Sequence, residues 1–190
     1  MSRHGVWAKK LLRFSRAQSY ANRNGFTLIE LIVVMAITSI IMAALVGVFV
    51  FTGNMANQTS LAADAQTAAI QVEQQIELGT RYATAVGVYP DNTGIGSAFS
   101  HYFYLDAAHP ASLSQKANSN TPTLFTPTGA SRLCLSLAFS TVSNNTVSVT
   151  IKVSPKGNTA NVLYMLQTNL FFQNVPTIAQ ASGSCLGYMI

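Results

Sequence analysis

The spacing of apolar residues changes character twice along this chain. From Leu31 to Phe51 there are 21 residues without a charge or a proline, and nearly all of them are apolar. A helix of that length, at about 1.5 Å per residue, spans roughly 30 Å, the thickness of a bilayer's hydrocarbon core. Further on, Leu61, Ala65, Ala68, Ala69, Val72, Ile76 and Ala83 recur at steps of three and four. That spacing marks one face of an amphipathic helix. Glu77 and Arg81 follow as an acid-then-base pair four apart, a weakly helix-stabilising arrangement. Unless Gly53-Asn54 bends or breaks it, one helix runs from about residue 27 to 83, roughly 80 Å. The stripe is alanine-rich and lasts only about three heptads, which argues against a coiled-coil stalk. It requires a cover.

The remaining sequence supplies one. Tyr89-Pro90-Asp91-Asn92-Thr93-Gly94 ends the helical pattern, and aromatic-rich Phe99–Leu105 reads as a strand. A Ser/Asn/Thr/Pro-rich loop is expected over 107–130. Leu133, Leu135, Leu137 and Phe139 then alternate with Cys134, Ser136 and Ala138, and Val147, Val149, Ile151 and Val153 with Ser148, Thr150 and Lys152. Alternation of this kind marks half-buried strands. Turns are expected at 143–145 and 154–158, and a third strand over 160–167. The fold class expected is α+β: a long N-terminal helix packed against an antiparallel sheet. The segments are residues 1–25, 26–52 (spanning helix), 53–88 (amphipathic helix continuation) and 89–190 (β domain).

Charge decides the topology. The formal net charge is +5, yet residues 1–25 hold six basic side chains and no acid. Residues 26–190 hold five basic and six acidic ones, a net charge of −1. Positive charge beside a spanning segment stays on the cytoplasmic side, so 1–25 is expected inside and everything beyond about residue 51 outside. A basic groove for nucleic acid in the outer domain is unsupported; only Lys116, Arg132, Lys152 and Lys156 are available to one. Charged residues make up 9% of the chain, so its surface stays hydrated mainly through Ser, Thr, Asn and Gln. The apolar run is longer than the 7–15 residues of a secretory signal and lacks its cleavage pattern.

Glu30 is the exception inside the apolar run. An acid in a spanning helix is a functional hypothesis by default, although near the interface it can reach water. If the chain is cut between Gly25 and Phe26, Glu30 lies one turn from a new α-amine and near the positive end of the helix dipole. It can then pair with an amine, its own or that of a neighbouring helix.

A basic leader, Gly25, Phe26-Thr27-Leu28-Ile29-Glu30 and about twenty apolar residues resemble the N-terminus of type IV prepilins and type II secretion pseudopilins. The likeness covers about residues 20–55. It implies cleavage after Gly25 by a prepilin peptidase, N-methylation of Phe26, and a role for Glu30 in filament assembly. The implied partners are other pilins or pseudopilins, inner-membrane assembly platform proteins and membrane lipid, with nucleic acid only for a DNA-uptake pilin. The implied location is the inner membrane with the N-terminus cytoplasmic, and later the pilus or pseudopilus. Many major pilins carry a proline inside the apolar helix, and this chain has none from 26 to 89, which favours a minor subunit.

Cys134 and Cys185 both fall in the part expected outside, where a pair is expected to form a disulfide that tethers the C-terminal segment 168–190 over the outer face or the edge of the sheet; two buried free thiols are the alternative. Enzyme chemistry finds little support. His4, His101 and His109 have no metal-ligand spacing with Cys, Asp or Glu; His101 with Asp106 or His109 is the nearest to a cluster. Gly94-Ile95-Gly96 is not a phosphate loop, and the sequons at Asn57 and Asn144 carry little weight. No catalysis, cofactor or metal is expected. A non-polymerising, membrane-anchored binding protein is the alternative to a pilin-like structural subunit.

Overall fold

The computed structural model describes residues 25–91, 99–117, 121–178 and 181–190. The basic leader, most of the turn at 91–94 and the Gly94-Ile95-Gly96 segment lie outside the described residues. The chain divides into two compact units, Met1–Phe49 and Val50–Ile190.

In the first unit, described from Gly25 on, every residue from 25 to 49 is exposed. They belong to α1, Leu28–Thr80, which runs on into the second unit and stays helical through Gly53-Asn54. Its 18-residue apolar window has a mean hydropathy of 2.8, long and apolar enough to cross a membrane.

In the second unit α1 buries Ala65, Ala68, Ala69, Val72, Ile76 and Thr80. Leu61 is partly buried against the same core, and Ala83 is buried just beyond the helix end. The expected stripe is therefore the buried face, and alanine at three of its positions keeps the backbone close to what it covers. Glu77 and Arg81 form no ion pair; the described ion pairs are Asp64–Arg132 at 3.8 Å and Asp106–His109 at 3.4 Å.

The cover is two antiparallel sheets rather than one meander. Strands β1 (Ala85–Tyr89), β2 (His101–Leu105), β3 (Leu113–Ala117), β4 (Thr123–Phe125), β5 (Leu133–Ser143), β6 (Thr146–Pro155), β7 (Tyr164–Phe171), β8 (Ser182–Gly183) and β9 (Cys185–Met189) follow α1. One sheet has the order β1-β9-β2-β3-β4 and the other β7-β6-β5-β8. The β5–β6 hairpin matches its expected pattern: Leu133, Leu135, Leu137, Phe139, Val147, Val149, Ile151 and Val153 are all buried. Its register runs from Leu133↔Pro155 to Thr141↔Val147, with a shift before Ser143↔Thr146.

Several expectations need correcting. Residues 85–89 leave the helix and form β1, where Val86 and Val88 point into the core on either side of Gly87; β-branched alternation outweighs helical continuation there. The 107–130 loop contains β3, β4 and a 3-10 turn at Ala130–Arg132. The third strand of the hairpin sheet starts at Tyr164, four residues later than expected. The C-terminal residues do reach the edge of the hairpin sheet, where β8 pairs with β5, but β9 then inserts in the other sheet between β1 and β2, pairing with both.

The two sheets meet where β8 passes into β9. A Cβ on Gly183 would lie 1.8 Å from the Tyr89 carbonyl oxygen, so only glycine allows this approach. Ser184 fastens the junction, its N–H and hydroxyl both donating to the Pro90 carbonyl at 3.2 and 2.7 Å. Gly79 plays a similar part on α1, where a side chain would strike the Phe103 ring at 2.5 Å.

Candidate functional site

The first turn of α1 is built by two residues. Thr27 stands at the N-cap, its carbonyl accepting the Leu31 N–H at 3.2 Å. Its hydroxyl accepts the Glu30 N–H at 3.3 Å. In return the Glu30 carboxylate accepts the Thr27 N–H and hydroxyl, each at 3.0 Å. This is a capping box: donors left without helical partners are satisfied reciprocally. Sequence reasoning placed Glu30 at the helix start and passed over Thr27, although threonine followed three residues later by glutamate is the signal for that motif.

Both of the bonds that Glu30 accepts fall on Oε2. Oε1 accepts none from a described residue, and the side chain is exposed. The cap therefore engages one carboxylate oxygen at the helix start and leaves the other without a partner among the described residues. Phe26 is 84% exposed. A side chain at Gly25 would meet no described residue within 4 Å. Among the described residues no crowding demands glycine at 25.

The structure does not bring Cys134 and Cys185 together; both thiols are free. The reason is register. Gly183 stands opposite Phe139 on β5, and Cys134 lies five residues further along that strand, about 16 Å away. Cys185 is two residues from Gly183, at most about 7 Å. The Cα separation is thus at least about 9 Å, beyond the roughly 7 Å that a disulfide bridges. Cys134 faces away from the core beside Ser154, its ladder partner. Cys185 is fully buried in a small cluster with Tyr104, flanked by Tyr89 and Tyr102. Burial, reinforced by the charge of Asp91, pushes its thiol up to about 12.

The other candidate groups also have local roles. His101 stacks on Tyr188 with ring centroids 5.2 Å apart and exchanges a hydrogen bond with Ser100 at 2.8 Å. Asp106 accepts the Ala108 N–H at 3.1 Å in an exposed turn and faces His109; the Ala108 bond, then the one to His109, hold its carboxyl below the usual range. Among the described residues no three His, Cys, Asp or Glu groups converge on a metal position. Of the four basic residues, Lys116 lies over the Tyr102 ring at 5.7 Å and Arg132 pairs with Asp64. Lys152 is on β6 and Lys156 in the turn after it. They sit on separate elements, and two of the four are already engaged.

Residues 20–46 match the family model for the prokaryotic N-terminal methylation motif. The chain joins that motif to one long helix and antiparallel sheets. Among solved structures it is similar to the PilB minor pilin from Streptococcus sanguinis, at 16% identity and a TM-score of 0.46. That likeness covers 70% of this chain and 34% of the other, so the chain spans about a third of that protein's length. A search of curated proteins returns no match.

Proposed function

We propose that this chain is a filament subunit, processed by a prepilin peptidase after Gly25, N-methylated at Phe26, and polymerised into a type IV pilus or a type II secretion or competence pseudopilus as a minor component. The observation that carries the reading is the first turn of α1. There the methylation motif, the capping box and an exposed apolar helix fall on consecutive residues. Gly25 fits the same reading: no described residue crowds it, which leaves it accessible to a peptidase.

The mechanism is structural rather than catalytic. In the uncut chain Glu30 is a cap acceptor with one oxygen unused. Cleavage creates an α-amine at Phe26. In a low-dielectric bundle of helices an unpaired carboxylate is strongly disfavoured, and its pairing with the amine of a neighbour selects one axial register. The apolar helix serves first as the anchor in the inner membrane, with its N-terminus cytoplasmic, and then as filament core. Other pilins, assembly platform proteins and lipid are the partners this sequence of events requires.

Filament fractions sheared from cells test the reading. The chain is expected among sheared filaments, and a Gly25→Leu variant is expected to stay entirely in the membrane fraction at its full uncut mass. Equal recovery of both in the sheared fraction would refute the proposal.

A further inference from the structure

The outer domain has one long sheet edge that nothing described covers. β7 (Tyr164–Phe171) pairs with β6 on one side and with no other described strand on the other. The remaining edges are short: β4 has three residues and β8 two, while β1 lies at the junction with the other sheet. Exposed edges are normally blunted by charge, proline or a bulge. β7 has none of these: its sequence YMLQTNLF is uncharged and free of proline, and its pairing with β6 runs without a register shift.

The direction of its backbone groups follows from the ladder. Phe172, next after the strand, donates its N–H inward to the Asn145 carbonyl at 2.9 Å. Alternation then turns the N–H and C=O groups of Met165, Gln167, Asn169 and Phe171 outward. The last two of these border a groove of about 600 Å3 between the strand and the final turns of α1. Its opposite wall carries Glu73, Glu77 and Arg81. Neither glutamate forms an ion pair with a described residue, and their spacing of four places them on one helix face.

We propose that the β7 edge is a docking strand for an extended, basic segment of a partner polypeptide, which adds to the sheet as a further strand. Main-chain hydrogen bonds to the outward groups of Gln167, Asn169 and Phe171 would hold it, and basic side chains would reach Glu73 and Glu77. The proposal goes beyond the assembly reading and does not depend on it.

The test uses the full chain in detergent and fluorescein-labelled seven-residue probe peptides of alternating lysine and valine. A glutamate-for-lysine probe and a probe N-methylated at alternate amides serve as comparisons. Fluorescence anisotropy is expected to show binding of the lysine probe, with affinity reduced at least about tenfold for each comparison probe. Asn169→Pro removes an outward N–H without touching the β6 ladder, and is expected to weaken binding at least about tenfold with circular dichroism unchanged. The double variant Glu73→Gln with Glu77→Gln is expected to weaken it by about fivefold to tenfold and to flatten its salt dependence. Absence of lysine-probe binding, equal binding of the glutamate or N-methylated probe, or unaltered binding by Asn169→Pro would each overturn the proposal. So would an Asn169→Pro-sensitive dimer of the chain alone, because it assigns the edge to a second copy.

Discussion

Thr27 and Glu30 satisfy each other across the first turn of α1, each supplying what the other's backbone lacks. On the proposed reading the Glu30 carboxylate has two separable roles, a cap acceptor through Oε2 and an assembly partner through its other oxygen. Glu30→Ala removes both and is expected to leave membrane insertion intact while abolishing recovery in sheared filaments. Thr27→Val removes only the hydroxyl's part of the cap, leaving the backbone bond to Glu30, and is expected to lower recovery by a few fold at most. Equal loss in the two variants, measured by quantitative immunoblot of sheared fractions, would assign the effect to the cap instead.

The cysteines behave as separate thiols. At pH 8 iodoacetamide is expected to modify Cys134 in the folded chain and to reach Cys185 only after denaturation, because the latter is fully buried and its thiol lies near 12. Thermal melts with and without reductant should coincide. A mass 2 Da lower before reduction would establish the disulfide that the sequence leads one to expect.

The same burial makes the domain sensitive to alkali. The folded thiol of Cys185 binds its proton more tightly than the unfolded one, whose value is 9.0. The contribution of this thiol is thus constant below about pH 9 and is lost as pH rises from there toward 12. Tyr104 and Tyr188, both raised chiefly by burial, act in the same direction. Chemical denaturation across pH 8 to 11 should show the decline, and Cys185→Ala should make it shallower.

Gly183 sits where two sheets share one chain segment, with no room for a methyl group beside the Tyr89 carbonyl. Gly183→Ala forces backbone against backbone and is expected to cost about 3 kcal/mol or to prevent folding. Gly157 has positive φ but open space around it, so Gly157→Asn, a residue that tolerates the left-handed region, is expected to change stability by less than about 1 kcal/mol. Urea unfolding of the two variants distinguishes the cases.

On the helix face the expected costs follow volume. Ile76→Ala leaves a cavity at a fully buried site and is expected to cost about 2–5 kcal/mol. Ala68→Leu overpacks a site with no exposure and is expected to cost about 1–3 kcal/mol. The exposed Leu78→Ala on the same helix should change stability by less than about 0.5 kcal/mol.

Local patterning made much of this fold legible. The helix stripe from Ala65 to Ile76 and the β5–β6 hairpin both follow from periods visible in a few consecutive turns or residues. What stayed hidden depends on distant partners. β9 is a central strand only because β1 and β2 flank it, and its Cys-Leu-Gly-Tyr-Met sequence has no clear alternation. β3 and β4 lie in a Ser/Asn/Thr/Pro-rich stretch whose composition reads as loop. The cysteine pairing failed for a related reason: a strand's face can be read locally, whereas the sheet that the C-terminus joins cannot. At the candidate site Glu30 was legible as an anomaly in the apolar run. Thr27 went unnoticed because a polar residue at a helix start attracts no attention until its partner is known.

Whether the chain becomes a filament subunit by losing its leader, as proposed, is decided by the mass of the protein in cells. Intact-mass and N-terminal peptide analysis of the membrane and filament fractions is expected to find a chain beginning at Phe26 and heavier than that sequence by one methyl group. A chain beginning at Met1 or close to it in both fractions would contradict the account and leave a membrane-anchored binding protein as its successor.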